Sequence, residues 1–318
     1  MNTGLFRLVA SRIAIAILTL AFVSAAVFIG TEILPGDVAE AVLGQNATPE
    51  AVAGLRQVLH LDQPAYIRYF RWLGGLLSGD PGRSLVNDLP VAGLIASRLP
   101  NSLILASVTA VVCVPIALVL GITSAIWRGS FYDRAASFLT MSVVAVPEFL
   151  IATLLVIVFA VNLRWFPALS FAAGIVSLDQ FFRLFALPVF TLSCVMIAQM
   201  MRMTRAAVID TLRSSYVEMA VLKGARPMRV VLTHALPNAI GPIANAVALS
   251  LSHLLGGAII VEIIFNYPGL ARLLVDAVST RDMPLVQACV MIFCLAYLFL
   301  VMIADIAGIL SNPRLRHR

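Results

Sequence analysis

Long apolar runs separated by short polar stretches dominate the chain. Six of them approach or exceed the ~20 residues that a helix needs to cross a bilayer. They cover residues 13–31, 102–126, 135–163, 184–201, 239–261 and 283–304. Because lipid offers the backbone no hydrogen-bond partner, runs of this length indicate helices, which satisfy their own N–H and C=O groups. The pattern therefore predicts an all-α membrane protein with six transmembrane helices.

The first apolar run has two interpretations. Arg7 and Arg12 precede it, and Ser24, Ala25 and Ala26 offer the small residues of a signal-peptide cleavage site. The apolar region of a signal peptide, however, has only ~7–15 residues, and this run is longer. We interpret the run as a retained anchor helix, and N-terminal sequencing of the mature protein would detect cleavage.

The composition supports a membrane protein. The 318 residues are 61 % hydrophobic and 12 % charged, and the mean hydropathy is +0.98. A soluble fold does not hide that much apolar surface. The formal net charge is +6, but the basic residues lie mostly at the ends of apolar runs. That placement is typical of charges that set membrane topology rather than of a nucleic-acid patch.

Residue types that catalyse reactions or bind metals and nucleotides do not cluster in the sequence. The four cysteines lie inside apolar runs, and the four histidines lack metal-ligand spacing, so no metal site is suggested. His253 in the fifth run has no evident acidic partner, which argues against an intramembrane enzyme. Lys223, the only lysine, precedes Gly224 and cannot form a Walker A motif. ATP, if it drives this protein, must be bound by another chain.

The basic residues are unequally distributed between the two sides of the predicted bundle. With a cytoplasmic N-terminus, the cytoplasmic side holds thirteen, namely Arg7, Arg12, Arg128, Arg134, Arg202, Arg205, Arg213, Lys223, Arg226, Arg229, Arg314, Arg316 and Arg318. The short loops of the other side hold four, namely Arg164, Arg183, Arg272 and Arg281. This positive-inside bias predicts that both termini are cytoplasmic.

A long segment, residues 32–101, is then predicted to lie outside. Residues 48–50 (Thr-Pro-Glu) carry a helix start signal, and residues 62–64 (Asp-Gln-Pro) open a second helical stretch. The aromatic and arginine side chains of residues 66–73 suit the level of the lipid headgroups. Residues 79–82 (Gly-Asp-Pro-Gly) predict a turn. On these signals the segment is either a helical cap between spans 1 and 2 or an interfacial cover.

A polar stretch, residues 214–238, separates the fourth and fifth apolar runs. Ser215 followed by Glu218 has the spacing of a capping box, so a helix is expected to begin there. Lys223 falls in the last turn of that helix and Gly224 just beyond its end, which are favoured positions for a cation and a glycine.

A second short helix is predicted to follow this one. Pro227 suits the first turn of a helix, and Pro237 is expected to limit its length. The two helices and the glycine between them would form a compact element that projects from the membrane domain. It either places a short helix in a groove of a partner protein or lies as a basic hairpin on anionic lipid.

The same stretch resembles the Glu-Ala-Ala loop of binding-protein-dependent ABC importer permeases. The matching residues are Glu218, Ala220 and Gly224 in a Glu-x-Ala-x-x-x-Gly pattern, with a Leu-Pro pair at residues 236–237. Residues 234–239 (His-Ala-Leu-Pro-Asn-Ala) resemble the dipeptide/oligopeptide/nickel subfamily in particular. The resemblance implies a fold like that of type I ABC importer permeases.

In that family the loop couples the membrane domain to separate ATPase subunits. The resemblance therefore implies a coupling loop within residues 202–238. Its expected contact residues are Glu218, Ala220, Lys223, Gly224, Ala225, Arg226, His234, Leu236 and Pro237. Met219 departs from the second position of the Glu-Ala-Ala triplet, and residues 221–222 depart from the subfamily's usual Arg-Ala.

Further matches follow the chain in order. Residues 61–64, 71–73 and 79–84 resemble the external region of the same subfamily, which implies a cap beneath a solute-binding protein. Residues 261–270 resemble the external loop between spans five and six. That match implies an external gate loop, with Glu262, Phe265, Pro268 and Gly269 as its expected residues.

The resemblance implies the following organisation. Residues 1–31 form the N-terminal segment and first span, 32–101 the external cap, 102–310 a permease core of five helices, and 311–318 a cytoplasmic tail. The chain is expected to be a non-catalytic, multi-pass protein of the bacterial inner membrane. Its expected partners are a homologous second permease subunit in a heterodimer, two ATP-binding subunits that hold ATP and Mg, an extracytoplasmic solute-binding protein and lipid, but no nucleic acid.

The expected cargo is a di- or oligopeptide or a similar small solute. Relatives also handle nickel chelates, opines, glutathione and oligosaccharides, so the resemblance leaves the solute open. An ion-coupled secondary transporter is the alternative function. Such a transporter would carry its coupling-ion carboxylates in broken helices and would need no partner.

Glu148 lies near the middle of the third apolar run, directly after Pro147. An ionisable residue within a span is a functional candidate, because burying it in lipid is costly. It either lines the translocation path or, when protonated, donates a hydrogen bond to a carbonyl that the Pro147 kink exposes. The sequence leaves both possibilities open.

The asymmetry of the basic residues predicts the outcome of topology labelling. In a background without the four native cysteines, a cysteine placed at Ala47 is expected to react with an impermeant thiol reagent added from outside. A cysteine placed at Ala225 is expected to stay unmodified until the membrane is permeabilised. The reverse pattern would contradict both the orientation and the importer function.

Overall fold

The computed structural model describes residues 3–33, 48–58, 62–170, 177–226 and 229–311. Most of these residues are helical, and an isolated β-bridge joins Arg83 to Pro90. The helices cover Thr3–Ile33 (α1), Pro49–Val58 (α2), Ala65–Ser78 (α3), Val91–Ile126 (α4), Phe131–Ala145 (α5), Glu148–Leu155 (α6), Leu178–Leu212 (α7), Ser215–Leu222 (α8), Leu236–Ile264 (α9), Leu270–Ser279 (α10) and Met283–Ser311 (α11). Two wide π-helical turns, Val156–Asn162 and Val230–Ala235, extend α6 and precede α9.

Membrane-spanning helices dominate the described part of the chain, as predicted. Five continuous stretches are long and apolar enough to cross a bilayer, namely Val9–Ile33, Val91–Ile126, Leu178–Leu212, Val230–Ile264 and Met283–Ile306. A sixth span is broken. It consists of Phe131–Ala145 and Glu148–Asn162, which meet at an angle of 98°. The all-α fold is confirmed, and the six predicted apolar runs each coincide with one of these segments.

The break in the third span occurs at Pro147. A proline disfavours helical geometry in the residue before it, and Val146 is accordingly extended at φ −91° and ψ 126°. Helix α5 therefore ends at Ala145, and α6 begins directly after the proline at Glu148. Pro188, by contrast, lies inside the uninterrupted helix α7. The break places Glu148 at a helix N-terminus instead of within a continuous span.

The chain divides into two compact units. The first contains residues 104–267 and both ends of the chain, residues 1–13 and 297–318. Helices α7 and α9 pack extensively within it. The aromatic rings of Phe185 and Tyr267 meet edge to face at 5.8 Å in its largest apolar cluster. Arg12 and Asp305 form an ion pair at 3.0 Å.

A buried ion pair joins three elements of the first unit. The Asp133 carboxylate on α5 accepts hydrogen bonds from Nε and Nη2 of Arg205 on α7, at 2.6 and 2.8 Å. It also accepts from the Ser124 hydroxyl on α4 and from the Gly129 backbone N–H at 2.9 Å. The Asp133 side chain is only 5 % exposed. All its oxygens are thus used to hold the adjoining ends of α4, α5 and α7 together.

The second unit contains residues 14–103 and 268–296. The predicted starts of α2 at Pro49 and of α3 after Pro64 are confirmed, and the chain turns after Ser78 as expected. The second span, predicted from residue 102, belongs to a helix that already begins at Val91. It starts earlier because Val91 and Ile95 are buried against α10 and α11 and continue the helical repeat. The first turns of α4, which precede the apolar run, are therefore stabilised by packing within the second unit.

Polar contacts fix the loops of the second unit. The Asp282 carboxylate accepts hydrogen bonds from the Ser84 hydroxyl and from the Leu85 backbone N–H, the latter at 3.1 Å. The Asn101 amide donates to the Pro268 carbonyl at 2.8 Å. These bonds tie the loop before α4, and α4 itself, to the segments that flank α10.

The buried ion pair predicts a large difference between two matched substitutions. Asp133→Asn removes the charge that balances Arg205 inside the fold, and we expect a loss of about 3–5 kcal/mol in unfolding free energy. Asp179→Asn breaks the Arg183–Asp179 pair, whose side chains are 59 % and 74 % exposed, and should cost about 0–1 kcal/mol.

Thermal unfolding of the two purified variants measures the difference. The Asp133→Asn variant should unfold at a clearly lower temperature than the Asp179→Asn variant. Equal melting temperatures would show that the buried pair adds no stability.

Candidate functional site

Helix α8 is the short element between the fourth and fifth spans. It covers Ser215–Leu222, so a helix begins where the sequence predicts one. The predicted capping box is wrong by one residue. The carbonyl of Ser214 accepts from the N–H groups of Val217 and Glu218, which makes Ser214 the residue that precedes the helix. The Ser214 hydroxyl donates to the Thr211 carbonyl at 2.5 Å, and the Ser214 N–H donates to the same carbonyl at 3.1 Å, because α7 ends two residues earlier at Leu212 and its last carbonyls lack helical partners.

Gly224 ends α8 as predicted. Its φ is +79°, in the left-handed region that glycine adopts at little cost. The Ala225 N–H donates to the Ala220 carbonyl at 3.2 Å, which is the six-residue hydrogen bond of a Schellman motif. A side chain at residue 224 would meet nothing within 4 Å in this chain. Within this chain, residue 224 therefore requires glycine because of its backbone conformation and not because of a lack of space.

One face of α8 is anchored and the other is free. Val217 is 1 % exposed and packs with Val230 and Ala235 of the π-helical turn before α9. On the other side, the apolar side chains of Tyr216, Met219 and Leu222 are 46 %, 53 % and 74 % exposed. Sequence reasoning had named none of these three as site residues, although their i, i+3, i+6 spacing was visible.

Within the described residues, the second predicted helix is not a short, separate element. Pro227 lies outside the described residues, and from Arg229 the chain is helical through the π turn and α9 to Ile264. Pro237 does not limit this helix, although the sequence predicts that it does. The π turn widens the winding just before the proline, which makes room for a ring that would otherwise meet the carbonyl four residues earlier.

The predicted coupling residues fall into two groups. Glu218, Lys223, Gly224 and Arg226 are exposed around α8 and its end, Ala225 is half-buried, and Ala220 is buried at 8 % exposure. His234, Leu236 and Pro237 lie on the π turn and the first turn of α9. The two groups are joined by an apolar cluster in which Val217 packs with Val230 and Ala235, and Leu212 and Ala225 pack against it.

Glu148 lies at a small cavity of the first unit whose walls are mostly apolar. Gln199 and His253 line the same cavity, and its other walls are Leu192, Val195, Met196, Leu254 and Gly257. The cavity measures about 30 Å³, roughly the volume of one water molecule. His253 thus shares a cavity with an acid, although the sequence shows no acidic partner for it. The two residues are distant in the chain, and only the packing of α6 against α9 brings them together.

Gly257 allows the Glu148 carboxylate to approach α9 closely. A Cβ atom at residue 257 would lie 2.7 Å from one carboxylate oxygen of Glu148 and 2.9 Å from the other. Real Cβ atoms do not come this close to an oxygen, so any side chain there would move the carboxylate. The position of Glu148 therefore depends on the glycine facing it.

The predicted external gate residues are mostly buried. Glu262 and Phe265 are 0 % exposed at the end of α9, which closes with Asn266 at φ +51° and a bond from the Tyr267 N–H to the Glu262 carbonyl. Burial raises the pKa of the Tyr267 phenol, and the charge of Glu262 raises it further, so the hydroxyl stays neutral. Pro268 and Gly269 follow at the start of the second unit, and Gly269 is also buried.

A bundle of long apolar helices, a polar group at a broken span and an exposed helix outside the spans together define a polytopic α-helical membrane protein. Residues 117–317 match the family described as "Binding-protein-dependent transport system inner membrane component", and residues 5–106 match its N-terminal counterpart. The chain belongs to this family.

Curated relatives cover nearly the whole chain. It is 37 % identical to the glutathione transport system permease protein GsiC of Escherichia coli strain K12 and to that of Shigella dysenteriae serotype 1. It is 36 % identical to GsiC of Salmonella paratyphi A. Each alignment spans 300 residues, 94 % of this chain and 95 % of the relative.

The family assignment establishes the general function. The chain is a non-catalytic, multi-pass inner-membrane permease subunit of an ABC importer, with a type I permease fold. ATP is used by partner ATPase subunits, and a solute-binding protein supplies the cargo. The assignment decides against the alternative of an ion-coupled secondary transporter.

Proposed function

We propose that this chain forms one half of a heterodimeric path for peptides or similar small solutes, with two ATPase subunits moving the pair. In this proposal both termini and α8 are cytoplasmic, and the solute-binding protein docks on the opposite side. The observation that carries it is the exposed apolar face of α8, which lies outside the spans and is anchored to two of them.

The face of α8 has the properties of a docking helix. Tyr216, Met219 and Leu222 follow one another at three-residue intervals and form one strip of the helix surface. Lys223 and Arg226 lie exposed beside the strip. A short helix with an apolar strip and a basic end fits a groove with an apolar floor and an acidic rim. We therefore assign the coupling role to the strip together with Glu218, Lys223, Gly224 and Arg226.

Movement of α8 would reach the bundle through packed contacts. Val217 connects α8 to the π turn that continues into α9, and α8 follows α7 after a two-residue link. Arg205 near the end of α7 is in turn fixed to α4 and α5 through Asp133. A displacement of the docked helix would thus shift the ends of α7 and α9 as rigid elements, which is a common way to switch between two conformations.

The cargo assignment rests on the relatives and on Glu148. Glutathione, the solute in the relatives' names, is a peptide, and the identity of 36–37 % extends over almost the entire chain. The acid–amide–imidazole group of Glu148, Gln199 and His253 offers polar contacts within an otherwise apolar wall. We infer that Glu148 lines the translocation path and meets a cationic group such as a peptide amine.

The remaining site residues act on the external side in this proposal. The segment 32–101 forms a cap, and the loop after α9 acts as an external gate. Glu262 and Phe265 are buried, and so they would hold the end of α9 in place. Pro268 and Gly269 would form the part of the loop that moves.

Gly224→Val is expected to uncouple transport. Valine avoids positive φ, and holding it at +79° would cost about 1–3 kcal/mol, so the end of α8 should change its course. Because the position lies outside the spans, the protein should still insert. We expect normal membrane levels, weaker recruitment of the ATPase subunits in pull-down, and loss of uptake.

Gly224→Asn is the matched control, since asparagine tolerates the left-handed region better than valine. It should retain most of the recruitment and uptake that Gly224→Val loses. Normal recruitment and uptake in the valine variant would falsify the docking role of α8.

Glu148→Gln is expected to impair uptake while assembly survives. Glutamine keeps the size of the side chain but removes the charge that would attract a cationic cargo group. Uptake of peptides with a free amino terminus should fall more than uptake of the same peptides with an acetylated terminus. Equal uptake of both peptide forms, at wild-type rates, would instead assign Glu148 a purely structural role.

A further inference from the structure

Helix α3 packs against the last turns of α1. The Tyr69 hydroxyl is 2.8 Å from the Ser24 hydroxyl, and the Tyr69 ring meets the Phe28 ring edge to face at 5.4 Å. Trp72 lies 6.1 Å from the same Phe28 ring. Arg68 pairs with Glu32 near the end of α1. Three successive turns of α1 thus contact one face of α3.

These contacts reach into the membrane-spanning part of α1. That span covers Val9–Ile33 and is strongly apolar. At 1.5 Å per residue, Ser24 lies about 13 Å along the helix from Ile33. A helix that touches Ser24 through Tyr69 therefore lies beside the apolar segment of α1 and not beyond its end. Glu32 and Arg68, the charged pair, lie at the polar edge of the same contact.

The face of α3 that turns away from α1 is apolar and exposed. Tyr66, Phe70 and Leu77 are 66 %, 66 % and 80 % exposed. With 3.6 residues per turn, the three fall within a sector of about 40° on the helix surface. Arg71 and Ser78, also exposed, lie on a different side, roughly 80–140° from that sector. Ile67, 38 % exposed, lies about 20–40° from Ser78 and Arg71 on the helix surface. The exposed surface of α3 thus grades from a strongly apolar side to a side that carries both Ile67 and the polar residues Arg71 and Ser78.

The surface of α1 at the same level is also apolar and exposed. Phe22, Ile29 and Ile33 are 70 %, 53 % and 73 % exposed. Because α1 crosses the bilayer, these side chains require an apolar environment on the outside of the unit. Both helices therefore expose apolar side chains, and the membrane already has to cover those of α1.

We propose that α3 lies in the membrane interface and that its Tyr66–Phe70–Leu77 face binds phospholipid acyl chains. The polar side with Arg71 and Ser78 faces the headgroups and water, as in other interfacial amphipathic helices. Tyr69 and Trp72 hold the helix to α1, and the lipid holds it in the plane of the membrane. The solute-binding protein then docks on other parts of the external segment.

Accessibility of spin labels in the assembled importer tests this proposal. The four native cysteines are replaced, and single cysteines at Phe70, Leu77, Arg71 and Ser78 receive a nitroxide label. The complex is placed in nanodiscs of zwitterionic and anionic phospholipid. Collisions with oxygen, which dissolves in acyl chains, are compared with collisions with a water-soluble nickel chelate.

The labels at Phe70 and Leu77 should collide mainly with oxygen, with an oxygen-to-nickel ratio several-fold above that of the labels at Arg71 and Ser78. The pair Phe70 and Arg71 is the sharpest comparison, since the residues are adjacent in sequence. Equal nickel accessibility at both positions would overturn the proposal and place the face in water. Protection of Phe70 and Leu77 from both reagents would also overturn it, because another protein chain would then cover the face.

Discussion

Inside a bilayer a backbone N–H or C=O group finds no water, and this constraint decides how most of the chain is arranged. It produces long helices whose backbone bonds are internal, and it makes any interruption expensive unless other groups cover the freed atoms. The chain interrupts a span at one described position, Pro147, where Val146 is extended and the two halves meet at 98°. The wide π turn at Val230–Ala235 comes just before a second proline, Pro237, and there the helix continues without such a break. Both irregularities lie next to residues that we assign to function, Glu148 and α8.

Features that depend on neighbouring residues were predictable from the sequence. The apolar runs predict the spans, and Gly224 predicts where α8 ends. Both predictions succeed because each feature depends on local chemistry alone. The misplaced cap at Ser214 and the continuation of the helix through Pro237 show the limit of such signals. In both cases the geometry of an adjacent element, the end of α7 or the π turn, overrode the local preference.

Features that depend on distant residues were not predictable. Nothing in the sequence connects Asp133 to Arg205, Glu148 to His253, or Tyr69 to Ser24. From the sequence, Arg205 is only one of the charges that set topology. In the structure it pairs with the buried Asp133, and this pair holds the ends of α4, α5 and α7 together. The sequence does not single out the exposed strip of Tyr216, Met219 and Leu222, to which we assign a coupling role, for a related reason. An apolar residue between two spans can be identified as part of an exposed surface only when the structure shows which side of α8 is already packed.

The close approach of Glu148 to Gly257 has a consequence for sequence variation. The two positions lie on different helices and share one small volume, so a side chain at residue 257 would displace the flexible end of the Glu148 side chain. A homologue with alanine or serine at the position of Gly257 should hold the carboxyl group of Glu148 at a different place in the cavity. Substitution at residue 257 therefore offers a way to move this carboxyl group within the permease without removing it.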